Sequence, residues 1–262
     1  MKLALARSLD FLAALAVCAT LATVVSATSC SSGCAALPAG GVGQDADALA
    51  RAIEGAVNKA AWDQTGAVRF GFRGTRSFVW DRQRSFFYAK AGDTEVWLDL
   101  WDQGGTAKQA GQDVDDATRS KLLADAWGWF CNDTFWLNPL AKLFDPGTTR
   151  ELVLLDPGKP PALKVSYASG GTTPGDAYLW IVDDKNKPVA VRMWVSVLPV
   201  KGIEFSWDGW TSLATGAVVA TEHRAAGVVE VAIDAPAGAA TLQALEPGAD
   251  RFAALVARRA GR

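Results

Sequence analysis

Read for hydrophobicity alone, the chain opens with an apolar run over 11–25, preceded by Lys2 and Arg7 and followed by the small residues of 26–29 and then Cys30. A positive head, an apolar centre and a small-residue exit are the layout of a secretory signal, here residues 1–29. The run holds about fifteen residues against the roughly twenty needed to cross a bilayer as a helix, so export with cleavage is the expectation. Residues 30–44 are mostly Ser, Gly, Ala and Pro without periodicity, which predicts a flexible tether.

Regular patterning starts at Asp45. Leu49, Ile53 and Val57 recur every four residues behind it, predicting a helix capped by Asp45. The period then becomes two. Val68, Phe70 and Phe72 share one face while Arg69, Gly71 and Arg73 take the other, and Phe78 with Trp80, Phe86 with Tyr88, and 95–101 continue the series as a four-stranded meander. A helix opening at Asp115 or Asp116 aligns Leu122, Ala126 and Phe130 and is expected to stop near Asn132. After the Asp145-Pro146-Gly147 turn, strands are predicted over 152–155, 163–167, 178–183, 189–198, 203–207, 218–223 and 228–233, with a helical tail over 250–259. The sum is a mainly β fold with flanking helices (α+β). It is expected as a single domain over 45–262, a curved antiparallel sheet or unclosed barrel with helices over one side.

Composition sharpens this picture. Half the residues are apolar and eleven are tryptophan, enough to fill a substantial core. The formal charge of −2 becomes −3 once Lys2, Arg7 and Asp10 leave with the leader, so there is no electrostatic footprint for nucleic acid. Arg258, Arg259 and Arg262 form the one dense basic group, where cations suit a helix C-terminus.

The exit of the leader decides the anchor. Lipoprotein processing leaves an acylated cysteine as first residue, and Cys30 after Ala27-Thr28-Ser29 is the favoured site; Cys34 after Ser31-Ser32-Gly33 and ordinary cleavage after Ala27 are the alternatives. Ser31 beside Cys30 gives no inner-membrane retention signal, so the expected location is the periplasmic face of the envelope, anchored at the outer membrane. Cys18 departs with the leader, which leaves Cys34 and Cys131 either to pair or, the favoured reading for Cys131, to serve as a small apolar residue.

Four stretches carry a resemblance: AWDQTGAVRFGFRG (61–74), SFVWD (77–81), FCNDTFWLNPLAKLFDPG (130–147) and TPGDAYLWIVD (173–183). They resemble an uncharacterised bacterial lipoprotein family that is itself similar to the lipoprotein-sorting proteins LolA and LolB. The resemblance implies an unclosed antiparallel barrel with a helical lid over an apolar cavity that accepts acyl chains and performs no chemistry.

Candidate chemistry is sparse. His223 is the single histidine and sits in a strand-like run with no nucleophile near it in sequence, so it reads as a strand-end residue. Asn132-Asp133-Thr134 reads as helix termination, and Asp176, Asp183 and Asp184 as turn carboxylates without calcium-loop spacing. No phosphate loop, zinc-type cysteine cluster or cofactor motif is present, so neither an enzyme nor a metal protein is expected. The remaining candidates are strand aromatics, Phe70, Phe72, Trp80, Trp97, Trp180, Trp194 and Trp207, read either as core or as the wall of an acyl-binding cavity. The expected partners are the membrane, through the N-terminal lipid, and an acyl-chain or lipoprotein ligand.

Overall fold

The computed structural model describes residues 35–169, 174–198 and 200–262. The leader, Cys18, Cys30 and Cys34 lie outside the described residues, and with them the expectations on cleavage and lipidation. Two short helices come first, α1 (Gln44–Ala56) and α2 (Lys59–Gln64). The meander follows as β1 (Ala67–Phe72), β2 (Arg76–Asp81), β3 (Phe86–Ala91), β4 (Thr94–Asp99), β5 (Gly105–Gln109) and β6 (Gln112–Asp113). The long helix α3 (Asp116–Leu137) and a 3-10 turn (Pro139–Lys142) lead to β7 (Thr148–Val153), β8 (Ala162–Tyr167), β9 (Ala177–Val182), β10 (Pro188–Trp194) and β11 (Ile203–Ser206). The small pair β12 (Thr211–Ser212) and β13 (Val218–Val219), then β14 (Glu222–Ala225), β15 (Val229–Ala239), α4 (Leu242–Leu245) and α5 (Ala253–Ala260) complete the chain.

The strands form an eight-stranded sheet, β14-β15-β1-β2-β3-β4-β5-β6, and a five-stranded sheet, β11-β10-β9-β8-β7, with antiparallel pairing throughout. The two meet where β11 runs beside β14: Asp208 and Glu222 form an isolated bridge, and the Arg224 amide donates to the Ser206 hydroxyl at 3.2 Å. The result is mainly β, with sheets that do not close into a barrel. Helix α1 lies on β7 and β8, and α3 lies across β4, β5 and β15. One continuous apolar core fills the space between the concave side and these helices, drawing on Ile53, Phe70, Phe78, Leu98, Leu137, Trp180 and Trp207, each at most 1% exposed.

Local physics explains where the elements differ from expectation. The N-cap of α1 is Gly43, without a side-chain bond, and Asp45 sits in the first turn, where its charge suits the macrodipole. Asp115 does cap α3, accepting from the Thr118 amide at 2.8 Å. That helix continues past Asn132 to Leu137, because the Thr134 hydroxyl bonds back to the Phe130 carbonyl at 2.6 Å and Asp133 finds a partner across the core. It ends at Asn138, the residue before Pro139, where the α conformation is sterically disfavoured. The predicted strand 218–223 is split between two pairings, and β5 and β6, rich in polar residues, had no apolar alternation to betray them.

The spacer reading is corrected for residues 35–43. This segment crosses the outer face of the second sheet. Trp194 Nε1 donates to the Ala35 carbonyl at 2.7 Å, Lys164 Nζ to the Pro38 carbonyl at 2.8 Å, and Gly41 exchanges both backbone bonds with Leu152 at 2.9 and 2.8 Å. Gly40 makes this approach sterically feasible: a Cβ there would stand 2.8 Å from the Leu152 oxygen.

Candidate functional site: the concave aromatic face

Strand alternation sends Val68, Phe70 and Phe72 of β1, Phe78 and Trp80 of β2, and Phe87 and Ala89 of β3 to the concave side. Register brings Phe70 opposite Phe78 and Trp80 opposite Phe87. The rings run on from one another: Phe70 to Phe78 at 5.0 Å, Phe78 to Phe87 at 5.1 Å, Phe87 to Phe130 at 5.1 Å and Phe130 to Trp80 at 5.2 Å. Phe130 belongs to α3, so the helix completes the first sheet's ring group.

A second group lies where the sheets meet. Trp180 stands edge-on to Trp207 at 5.0 Å, Trp207 stacks on Trp136 of α3 at 5.9 Å, and Phe135 of α3 packs on Tyr178 at 4.7 Å. His223 lies within this group, 3.9 Å from the Trp207 ring and 5.3 Å from Trp136. It is fully buried on β14 rather than at a strand end open to water. The backbone carbonyls of Trp136 and Ser206 come near it without reaching hydrogen-bond geometry, and burial pushes its pKa down to about 4, so it is neutral. The indole N–H of Trp180 and the Asn138 amide nitrogen are likewise buried without a partner.

Among the seven expected wall residues, Phe70, Phe72, Trp80, Trp180 and Trp207 share the concave core. Trp97 and Trp194 do not; they pack on the outer faces, Trp97 beside Tyr88, Phe86, Leu242 and Phe252, and Trp194 beside Val153, Ala162 and Leu179. Strand β3 is apolar on both sides, Phe86 and Tyr88 on one and Phe87 and Ala89 on the other, so period two fixes which residues share a side but not which side is inward. Phe78, Phe87, Phe130, Phe135, Trp136 and Phe205 are among the concave-face rings that the sequence reading did not single out as site residues. For those on α3 the signal lay in a helix whose aromatic residues do not confine themselves to one stripe.

Asp133 is the one fully buried carboxylate on α3. Arg76 of β2 holds it, Nε to Oδ2 at 2.9 Å, and the Asn132 amide donates to its other oxygen at 2.7 Å. Arg76 also lies over the Phe72 and Trp129 rings, at 5.1 and 5.5 Å. Burial raises the carboxyl's pKa, with Arg76 opposing. Cys131, two residues before Asp133, is half-buried and unpaired among the described residues, and burial raises its thiol pKa as well. Asp183 accepts from the Lys185 and Lys187 amides at 2.9 Å, and Asp176 from the Ser196 amide at 2.8 Å, so both organise turns.

A second concavity of about 280 Å³ lies between the β2–β3 turn and the C-terminal segment, lined by Asp81, Arg84, Thr241, Glu246, Asp250 and Arg251. Its cations are paired: Arg84 with Asp81 and Asp250, both at 2.6 Å, and Arg251 with Glu246 at 2.8 Å. Among the described residues no three His, Cys, Asp or Glu side chains converge, and no helix is long and apolar enough to cross a membrane. What the arrangement offers is apolar contact area. No protein-family model matches the chain, and neither does any curated protein.

Proposed function

We propose that this chain is a lipid-anchored envelope protein whose concave aromatic face binds a hydrophobic ligand, the acyl chains of lipids or lipoproteins, by exchange with α3, as a LolA/LolB-like half-barrel would. One observation carries this reading: α3 supplies the rings that complete both aromatic groups, yet its Trp127, Trp129, Phe130 and Phe135 are only partly buried. An apolar cover that is itself half in water loses less on moving aside than a core helix would. The magnitudes allow it. An acyl chain of about fifteen methylenes gains roughly 12 kcal/mol on burial, while re-exposing an aromatic side chain costs about 1.5–3 kcal/mol. Moving α3 also re-exposes the buried Leu122, Trp136 and Leu137, while its four other rings already keep part of their exposure, so the helix and one chain remain comparable. Binding of this kind needs no catalytic group and no cofactor.

The test is native mass spectrometry of the full chain purified from membranes. A species heavier than the covalently processed chain by one lipid is expected, and repeated absence of such a species sinks the reading. The direct ring-to-ring contacts favour a second reading, a structural or protein-interaction lipoprotein whose half-barrel is filled by its own side chains. Under it, α3 amides exchange with solvent as slowly as those of β1 whether lipid is added or not; under the first, lipid speeds α3 selectively.

A further inference from the structure

The outer face of the second sheet is apolar where Val153, Ala162 and Leu179 lie buried under residues 35–43. That strap covers them with backbone and small residues, and its own larger side chains remain exposed to solvent. Leu37 and Val42 are 42% and 72% exposed. Next to its pairing with Leu152, Leu154 is 79% exposed, and Val197, in the loop that follows the Ala35-binding Trp194, is 67% exposed. Four aliphatic side chains thus project around one docked segment.

The length of chain before the strap decides what meets them. A tether running free from Cys30 to Gln44 spans up to about 48 Å at roughly 3.4 Å per residue, but docking at Ala35 leaves about 17 Å. A bilayer including its headgroups is roughly 40 Å thick, so that reach is less than half of one bilayer. We infer that Leu37, Val42, Leu154 and Val197 form a membrane-docking edge that rests on the bilayer surface next to the anchor. The inference rests on the proposed acylation of Cys30. Each aliphatic side chain that enters the interface gains burial free energy, and attachment through the anchor makes the contact intramolecular, so weak individual contributions suffice. The occupant is the lipid surface itself.

The experiment uses the full chain, processed in a Gram-negative host and reconstituted on vesicles of phosphatidylethanolamine with a minority of phosphatidylglycerol. Intact mass establishes acylation, and hydrogen exchange is compared between vesicles and detergent. The expected result is that amides around Leu37, Val42 and Leu154 exchange about tenfold more slowly on vesicles, the factor that partial burial of one aliphatic side chain supplies. The double variant Val42→Asp, Leu154→Asp, at exposed positions that leave the core untouched, should erase the difference while the chain stays vesicle-bound. An acylated chain with no slowing at these amides overturns the docking edge alone. An unacylated mature chain overturns the edge and the anchor together.

Discussion

The two sheets face the same difficulty on their outer sides and solve it differently. On the first sheet, Phe86, Tyr88 and Trp97 are roofed by the C-terminal segment, with Leu242, Phe252 and Leu255 inserted against them and Phe252 5.6 Å from Phe86. Ion pairs pin that roof: Arg259 grips the fully buried Asp99 with two bonds of 2.6 Å, Arg84 holds Asp250, and Arg258 holds Asp102 at 3.1 Å. The roof of the second sheet is the 35–43 strap, held by a few backbone bonds, the Trp194 indole and Lys164, which also pairs with Glu151 at 2.7 Å. One cover buries its own side chains and the other turns them outward. An outward-facing apolar strap is costly in water and reasonable against a lipid surface.

The contrast can be broken most forcefully at Asp99. Asp99→Ala leaves Arg259 beside the Phe86 and Trp101 rings without its carboxylate, and about 3–4 kcal/mol of stability should be lost in urea unfolding. A loss below about 1 kcal/mol would mean that the Asp99 pairing adds little to what the apolar contacts and the Arg84–Asp250 and Arg258–Asp102 pairs already supply.

Acid tests the core that both sheets share. His223 has a folded pKa near 4 against about 6.5 unfolded, so the unfolded chain binds the proton first, and stability falls as pH drops from 6.5 toward 4, by up to about 3 kcal/mol. His223→Phe should flatten that window. Asp99 and Asp250 behave differently. Burial works against the charge on Asp99, but Arg259 holds its pKa below the usual carboxylate range, and the Arg84 hydrogen bond does the same for Asp250. Their contributions are present above the unfolded carboxylate pKa and fade only as pH falls through the depressed folded values. Acidification should therefore loosen the His223 region before α5, an order that exchange measurements would reveal.

Lys164→Met sharpens the comparison at the thin roof. Glu151 retains some access to water after the change, so the expected loss is about 1–2 kcal/mol, with the strap amides exchanging fastest. Gly40→Ala is the mildest. The Cβ collides with the Leu152 carbonyl, and the strap should lift locally, speeding Gly41 and Leu152 exchange while global stability changes by less than about 1 kcal/mol.

Much of the fold was legible. Alternation over Val68 to Phe72 and the turn residues behind it gave the meander, and Asp115 marked the start of α3. The concave site was legible only in part. Five of seven expected rings meet there, while Trp97 and Trp194 went to the outer sides, because strands such as Phe86-Phe87-Tyr88 are apolar on both faces. The stop expected at Asn132 failed for a related reason. Asn, Asp and Thr end helices when their side chains compete for the backbone, but here Arg76, 56 to 58 residues earlier in the chain, occupies Asp133.

By itself, then, the sequence determined period, element type and the apolar load, since these depend on neighbours a few positions apart. Tertiary structure decided what those neighbours could not: which side of each sheet is concave, that α3 rather than an empty space meets the rings, and that a Gly-rich, Ala-rich segment lies bound against a sheet. Each of these depends on contacts between residues far apart in the chain, and a periodic pattern carries no record of the partner that will cover it.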